Sequence, residues 1–448
     1  MVLKFRGLKR CFIGSERVPS LPAPVPVLVL APAPAPARAA VPPVSLPDND
    51  DLLREILLRL PPLPSSLPRA ALVCRRWRGL VSDPIFLSRF RSHHRTPPVL
   101  GYFFSDPRGP VFTPTLAPPD RIPPARFSLP PPPQEQPAGG GDRLFFLGCR
   151  HGLALLINRR RLETVVWDPV TGRQATVPYP PEFTADNGAH CCRGAVLSGG
   201  GADGGDDGDG RSMRPFRVIL IRTRRNDCGM TVCMCVYESA TAKWGETIST
   251  VVTSQVSDLP SVLIGNTLCG FFHWPLGILE LDLERHSLAA VETPAESRLH
   301  CIDSSSFRVV RTQQHGELGL VILSERSSSL QLWARKKEKA TSSSDHDVVL
   351  RWVLQRTVEL DKLLFSPPRT YTMMDSGFSA RKPRILGFDE DSNQIHISVS
   401  TCAGAFAIQL ETMQFTKLFN AVSPTGSYVS GHPYASFYTA GTQCLARL

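Results

Sequence analysis

Gly199, Gly201 and Gly204 spell G-x-G-x-x-G, the spacing with which a glycine-rich turn brings backbone N–H groups up to a phosphate. Asp203, Asp206, Asp207 and Asp209 crowd the same segment, and their charges would repel that phosphate. Nor do these aspartates make a calcium loop, because Asp207-Gly208-Asp209-Gly210-Arg211 puts a cation where a ligand belongs. Metal chemistry needs four convergent ligands. The twelve cysteines include no C-x-x-C pair, Cys191-Cys192 beside His190 are adjacent, and Cys233 and Cys235 fall on one strand face. This usage reads as reduced, mostly buried thiols in a cytoplasmic or nuclear protein. No G-x-S-x-G, H-E-x-x-H or P-loop occurs, and single histidines such as His273 beside Trp274, or His396 within Ile395–Ile397, read as turn or strand residues. The expectation is a protein with no catalytic residues, no metal and no cofactor, which acts by binding.

Residues suited to binding lie near the front. Asp48 is a good helix N-cap, Asp51 follows where a carboxylate meets unpaired N–H groups, and Leu52, Leu53, Ile56, Leu57 and Leu60 recur at three- and four-residue spacing. A helix of about three turns results. Pro61, Pro62 and Pro64 end it, since proline donates no hydrogen bond and restricts the residue before it. Pro68 fits the first turn of a second helix through Ala70, Ala71, Leu72 and Val73, and Asp83-Pro84 starts a last one carrying Ile85, Phe86, Leu87 and Phe90. Some fifty residues bury only a modest fraction of their surface, so so many large apolar groups call for a partner that completes the core. Two other readings of these helices are an ordinary three-helix scaffold and a helix-turn-helix that reads DNA. The run Arg75, Arg76 and Arg78 is likewise open between a solvated face, a patch for an acidic partner and a phosphate-contacting surface.

At 448 residues with 42% hydrophobic content, the chain has room for one small and one large domain. No stretch approaches the roughly 20 apolar residues of a spanning helix, so no membrane is expected. The net charge of +10 raises nucleic acid as a partner, but much of the excess sits in Lys4, Arg6, Lys9, Arg10 and the arginines of the helical segment. No nucleic acid is therefore expected. At the very start, a charged stretch before Val27-Leu28-Val29-Leu30 suggests a targeting peptide, whereas Pro22, Pro24, Pro26 and the Ala-Pro alternation of Ala31 to Ala37 favour an extended spacer. Residues 1–43 are read as a disordered lead, and residues 44–95 as the helical domain.

Beyond residue 98 the period changes to two. Val99 to Phe104 opens it, and Leu144 to Ile157 continues with short apolar runs broken by Gly148, His151 and Gly152. One degenerate unit then recurs: an apolar strand, an acidic or polar turn, a return strand. Val165 to Gly172 is its clearest copy, with Asp168-Pro169 at the turn entry and Gly172 free to take positive φ. Others are Cys235 to Glu238 into Lys243-Trp244, Leu279 to Glu284, Ile408 to Glu411 into Phe415, and the Phe388 to Ile397 hairpin. Such units stack radially in a β-propeller, and about six blades fit residues 98–445. Disordered insertions are expected near 105–142, 198–214 and 335–347.

Two resemblances follow from these residues. Leu46-Pro47-Asp48, Ile56 to Pro61, Leu72 to Trp77, Leu80 and Asp83 to Phe86 together resemble the F-box. That resemblance implies docking on the Skp-type adaptor of a cullin–RING ubiquitin ligase through Leu46, Pro47, Leu52, Leu53, Ile56, Leu57, Leu60, Pro61, Leu72, Val73, Cys74, Trp77, Leu80, Ile85 and Phe86. Asn49-Asp50 stands where a single acidic residue is more usual. Val166 to Gly172, Val236 to Ser239, Leu330 to Trp333 and Pro433 to Tyr438 are similar to the kelch-like F-box-associated propeller of plant F-box proteins of the grass type. The expected protein is thus multidomain, an all-α helical bundle then an all-β propeller, which binds a target protein for ubiquitination and proteasomal degradation. Two rivals remain: an enzyme seated in the propeller channel, and a basic nucleic-acid-binding protein.

Overall fold

The computed structural model describes residues 50–106, 109–129, 143–184, 192–199, 213–226, 229–252, 254–271, 277–295, 306–312, 316–324, 329–339, 348–360, 383–399, 404–420 and 431–438. The lead expected at 1–43 lies outside them, as do Leu46 and Pro47. Four helices come first: α1 (Asp50–Leu58), α2 (Ser66–Ala71), α3 (Arg75–Ser82) and α4 (Pro84–His94). Pro68 sits in the first turn of α2, where its missing N–H is harmless. The second helix was expected to run on through Leu72 and Val73. It stops at Ala71 instead, because Cys74 is extended (φ −163°, ψ 171°) and its sulfur accepts the Trp77 N–H at 3.5 Å, starting α3 as a separate helix. Asp83 accepts the Ile85 N–H at 3.1 Å and caps α4 as its position promised.

Beyond residue 98 the described strands form six antiparallel sheets. The first pairs β1 (Val99–Asp106) with β2 (Gly109–Pro114) on one side and with β24 (Gly431–Ala435) on the other. The second holds β3 (Leu144–Arg150), β4 (Leu153–Asn158), β5 (Glu163–Trp167) and β6 (Gln174–Pro178) in chain order. In the third, β7 (Cys192–Ser198), β8 (Phe216–Asn226) and β9 (Gly229–Glu238) are followed by β10 (Lys243–Trp244) and β11 (Ile248–Val252), which both pair with β9. The fourth runs from β12 (Val262–Ile264) through β13 (Thr267–Phe271) and β14 (Gly277–Asp282) to β15 (Ser287–Glu292). The fifth is β16 (Phe307–Thr312), β17 (Glu317–Ser324), β18 (Ser329–Lys339) and β19 (Val348–Glu359), and the sixth is β20 (Arg384–Asp389), β21 (Gln394–Val399), β22 (Gly404–Gln409) and β23 (Phe415–Asn420).

Leading strands of neighbouring sheets meet around an axis: β3 touches β7 and β24, β16 touches β12 and β20, and β20 touches β24. This is a six-bladed propeller in which β24, the last described strand, closes the ring on the first blade. The turn between third and fourth strands repeats in four blades. Gly172, Ala242, His286 and Met413, each four residues after the last residue or turn entry of a third strand, take positive φ of 78°, 54°, 51° and 55°. Gly172 and Met413 donate back to the Asp168 and Gln409 carbonyls at 2.8 Å, and the Asp168 and Asp282 carboxylates accept the next free N–H groups.

Two insertion boundaries need correction. Within the stretch expected to be an insertion at 105–142, Gly109–Pro114 pairs with β1, and Phe112, Ile122 and Phe127 are buried in the core around Phe103 and Trp167. Those three aromatic and aliphatic side chains outweigh the prolines between them. At 335–347, Arg335 to Lys339 continue β18 opposite Val348 to Trp352.

Candidate functional site

The helical face is set by what packs beneath it. Leu53, Leu57, Leu58, Leu67, Ala70, Ala71, Leu80, Val81, Phe86 and Phe90 form one core, with Leu60 and Trp77 half-buried against it. Polar ties fix α1 on that core: Arg76 Nε donates to Asp50 Oδ1 at 2.8 Å, Arg89 Nη2 to Glu55 Oε1 at 3.2 Å, and His94 Nε2 lies 3.0 Å from the Leu58 carbonyl. Five large apolar side chains remain outside. Leu52 (47% exposed), Ile56 (45%), Leu72 (65%), Val73 (61%) and Ile85 (71%) all face solvent, and so do Pro61 and Cys74. Of the arginine run, Arg76 is tied to Asp50, Arg78 Nε donates to the Ala71 carbonyl at 3.4 Å, and Arg75 is exposed.

This sorts the sequence-based docking residues. Leu53, Leu57, Leu80 and Phe86 lie inside the helical core, whereas Leu52, Ile56, Pro61, Leu72, Val73, Cys74 and Ile85 are exposed. Helical spacing identified the apolar stripe but not which edge of it the other helices cover.

At the propeller axis, sequence reasoning missed a half-buried charged hub. Arg150, at the end of β3, donates through Nε to both carboxylate oxygens of Glu390 at 3.1 and 3.2 Å, and its Nη2 reaches the Ser261 carbonyl beside β12. Glu390 Oε2 also accepts the Leu263 N–H at 3.2 Å, and its carbonyl accepts from Arg311 Nη2 of β16 at 2.8 Å. One carboxylate residue therefore joins four blades. The Asp389-Glu390-Asp391 run was the available signal, since three acids in one hairpin turn need cations nearby. Around the hub, burial pushes the Cys149 thiol up and the Asp389 carboxyl up to about 6. Burial, helped by Arg308 and Arg150, holds the His432 imidazole down at about 3. Two adjoining cavities hold about 60 Å³ each, space for a water or two and well below a substrate pocket. Among the described residues no three His, Cys, Asp or Glu are grouped to hold a metal ion, and no helix is long and apolar enough to cross a membrane.

Comparison with known proteins bears on the helices. Residues 45–89 match the family model for the F-box domain, so the chain carries a helical F-box followed by an all-β six-bladed propeller. No curated protein matches the chain. Similar solved structures include the Dos1 propeller (TM-score 0.30, 12% identity, covering 63% of this chain and 59% of that one) and AztD from Citrobacter koseri (0.29, 13%, 65% and 74%). Another is the dihydro-heme d1 dehydrogenase NirN (0.29, 11%, 76% of each chain). The chain thus spans less than two thirds of the Dos1 chain it matches.

Proposed function

We propose that this protein is the substrate-recognition subunit of a cullin–RING ubiquitin ligase. The F-box, residues 44–95, docks on a Skp-type adaptor, and the propeller, residues 98–445, holds a target protein for ubiquitination in the cytoplasm or nucleus. Such a receptor performs no bond chemistry: tethering replaces a bimolecular encounter by a high local concentration of target lysines. The observation that carries this reading is the set of five exposed apolar side chains, Leu52, Ile56, Leu72, Val73 and Ile85, on an F-box match. An unpartnered apolar surface of this kind marks an interaction site. Each side chain that becomes buried contributes roughly 1.5–3 kcal/mol, about ten- to a hundredfold in affinity.

Co-purification of the full chain with a recombinant Skp-type adaptor tests it. The wild-type chain is expected to bind, and Leu72→Asp and Ile85→Asp each to weaken binding at least tenfold while the melting temperature holds. Retained binding by both variants, or no binding by the wild type, rejects the docking face.

A further inference from the structure

The β18–β19 hairpin runs past its own blade. β17 stops pairing with β18 at Ala334, whereas β18 and β19 stay paired out to Lys339 and Val348. One face of this overhang is tied to the fourth blade: Arg335 Nη1 meets Glu280 Oε1 at 2.9 Å, and Trp352 Nε1 donates to the Glu292 carbonyl at 2.8 Å. The opposite face overlooks the turns of the sixth blade across a cleft of about 290 Å³. A β-bulge opposite Leu332 and Trp333 leaves Gln355 out of the ladder on this side, a distortion that re-aims side chains.

Three features of the cleft point to a ligand. Lys336 and Arg356 on the hairpin, Glu317 at the start of the neighbouring β17 and Glu411 in a turn of the sixth blade line one space, and among the described residues no ion pair joins any of the four. Leu332, Ala334 and Leu410 supply apolar surface between them. Asn393 also lines the cleft, 2% exposed, with neither amide atom hydrogen-bonded among the described residues. Leaving such buried atoms unsatisfied is destabilising by about 1–3 kcal/mol each. A carboxamide offers one acceptor and paired donors, the complement of a peptide group, and turning it towards a ligand sacrifices no existing bond.

We infer that this cleft takes an extended peptide segment with a carboxylate and a cationic side chain two residues apart. Side chains at i and i+2 of an extended chain share one face, so a carboxylate and a cation carried there both face the mixed lining of Lys336, Arg356, Glu317 and Glu411. Asn393 takes the intervening peptide group. A nucleic acid is disfavoured because the two glutamates would repel its phosphates. The inference rests on the receptor reading above and names the chemistry of its target.

Fluorescence anisotropy on the full chain tests it, with labelled serine–glycine peptides carrying central Glu-Ala-Lys, Glu-Ala-Glu, Lys-Ala-Lys or Ala-Ala-Ala. Glu-Ala-Lys is expected to bind most tightly, and the K336E/R356E double variant to weaken it at least tenfold and turn the preference to Lys-Ala-Lys. Asn393→Asp fits the same positive-φ backbone and is expected to weaken Glu-Ala-Lys and Glu-Ala-Glu. No saturable binding of any peptide, or equal binding by wild type and the double variant, overturns the inference. Adaptor co-purification persists in either case, so the F-box reading stands or falls separately.

Discussion

Burial, more than residue type, decides what single side chains do here. Leu57 and Leu72 are both leucines of the F-box, but Leu57 is wholly enclosed and Leu72 is 65% exposed. Leu57→Ala should cost about 2–5 kcal/mol of stability, and it should reduce adaptor binding only as far as it unfolds the bundle. Leu72→Ala should leave the melting curve in place and lower affinity. A melting scan beside an adaptor titration separates the two. Titrating groups follow the same logic. Burial holds His396 and His432 at about 3, so the unfolded chain takes up two protons, from the ordinary imidazole value downward, that the native chain refuses, and stability falls as pH drops through that range. Asp389, raised to about 6, acts oppositely: its contribution is present at low pH and is lost as pH rises towards 6. Two histidines displaced by about three and a half pH units each outweigh one aspartate displaced by about two. The melting temperature should therefore fall between pH 6.5 and pH 4, and His432→Gln should make that fall shallower; an unchanged slope would show that the imidazole is not the source.

At the scale of elements, the ring depends on close approach between leading strands. A Cβ added at Gly387 of β20 would sit 2.7 Å from the Gly431 carbonyl of β24 and 2.9 Å from the Pro433 ring. A backbone oxygen cannot turn aside as a side chain does. Gly387→Val should therefore destabilise closure by at least the roughly 1–3 kcal/mol of an overpacked core, seen as a lower denaturant midpoint, and a midpoint equal to the wild type would mean that β24 is not clamped there. This contact explains what the sequence made legible and what it hid. The Asp168, Asp282 and Gln409 turns were readable because their hydrogen bonds are local, and so were the hairpins into Trp244 and Phe415. The pairing of β24 with β1 joins residues some 330 positions apart and leaves no local mark. Helix α3 escaped notice because a cysteine sulfur, a weak acceptor, takes the capping place usually held by an oxygen. Strand β2 was masked by its own prolines, Pro110 and Pro114.

For the molecule as a whole, helices and propeller are one body. Both fall in a single compact unit, Phe437 just after β24 packs into the helical core, and the Ser65 N–H donates to Asp120 Oδ1 at 2.9 Å. The hub extends this coupling around the axis. Glu390→Gln would leave Arg150, 9% exposed, without its charge partner, and should lower stability. Because Glu390 touches four blades, that loss should lower one cooperative transition and not detach a single blade. The same coupling dictates how a substrate trap is best made. Deleting residues 45–94 would strip the cover from Phe437 and leave an apolar ring in water, so the truncated chain should melt lower than the full chain and aggregate. The L72D/I85D double variant loses adaptor affinity while its buried core is untouched, and it should keep the propeller's melting temperature and any bound target. Differential scanning calorimetry of the two chains side by side decides the matter: equal melting temperatures would mean that the F-box is an appendage, and the propeller's interface with it contributes nothing to the fold.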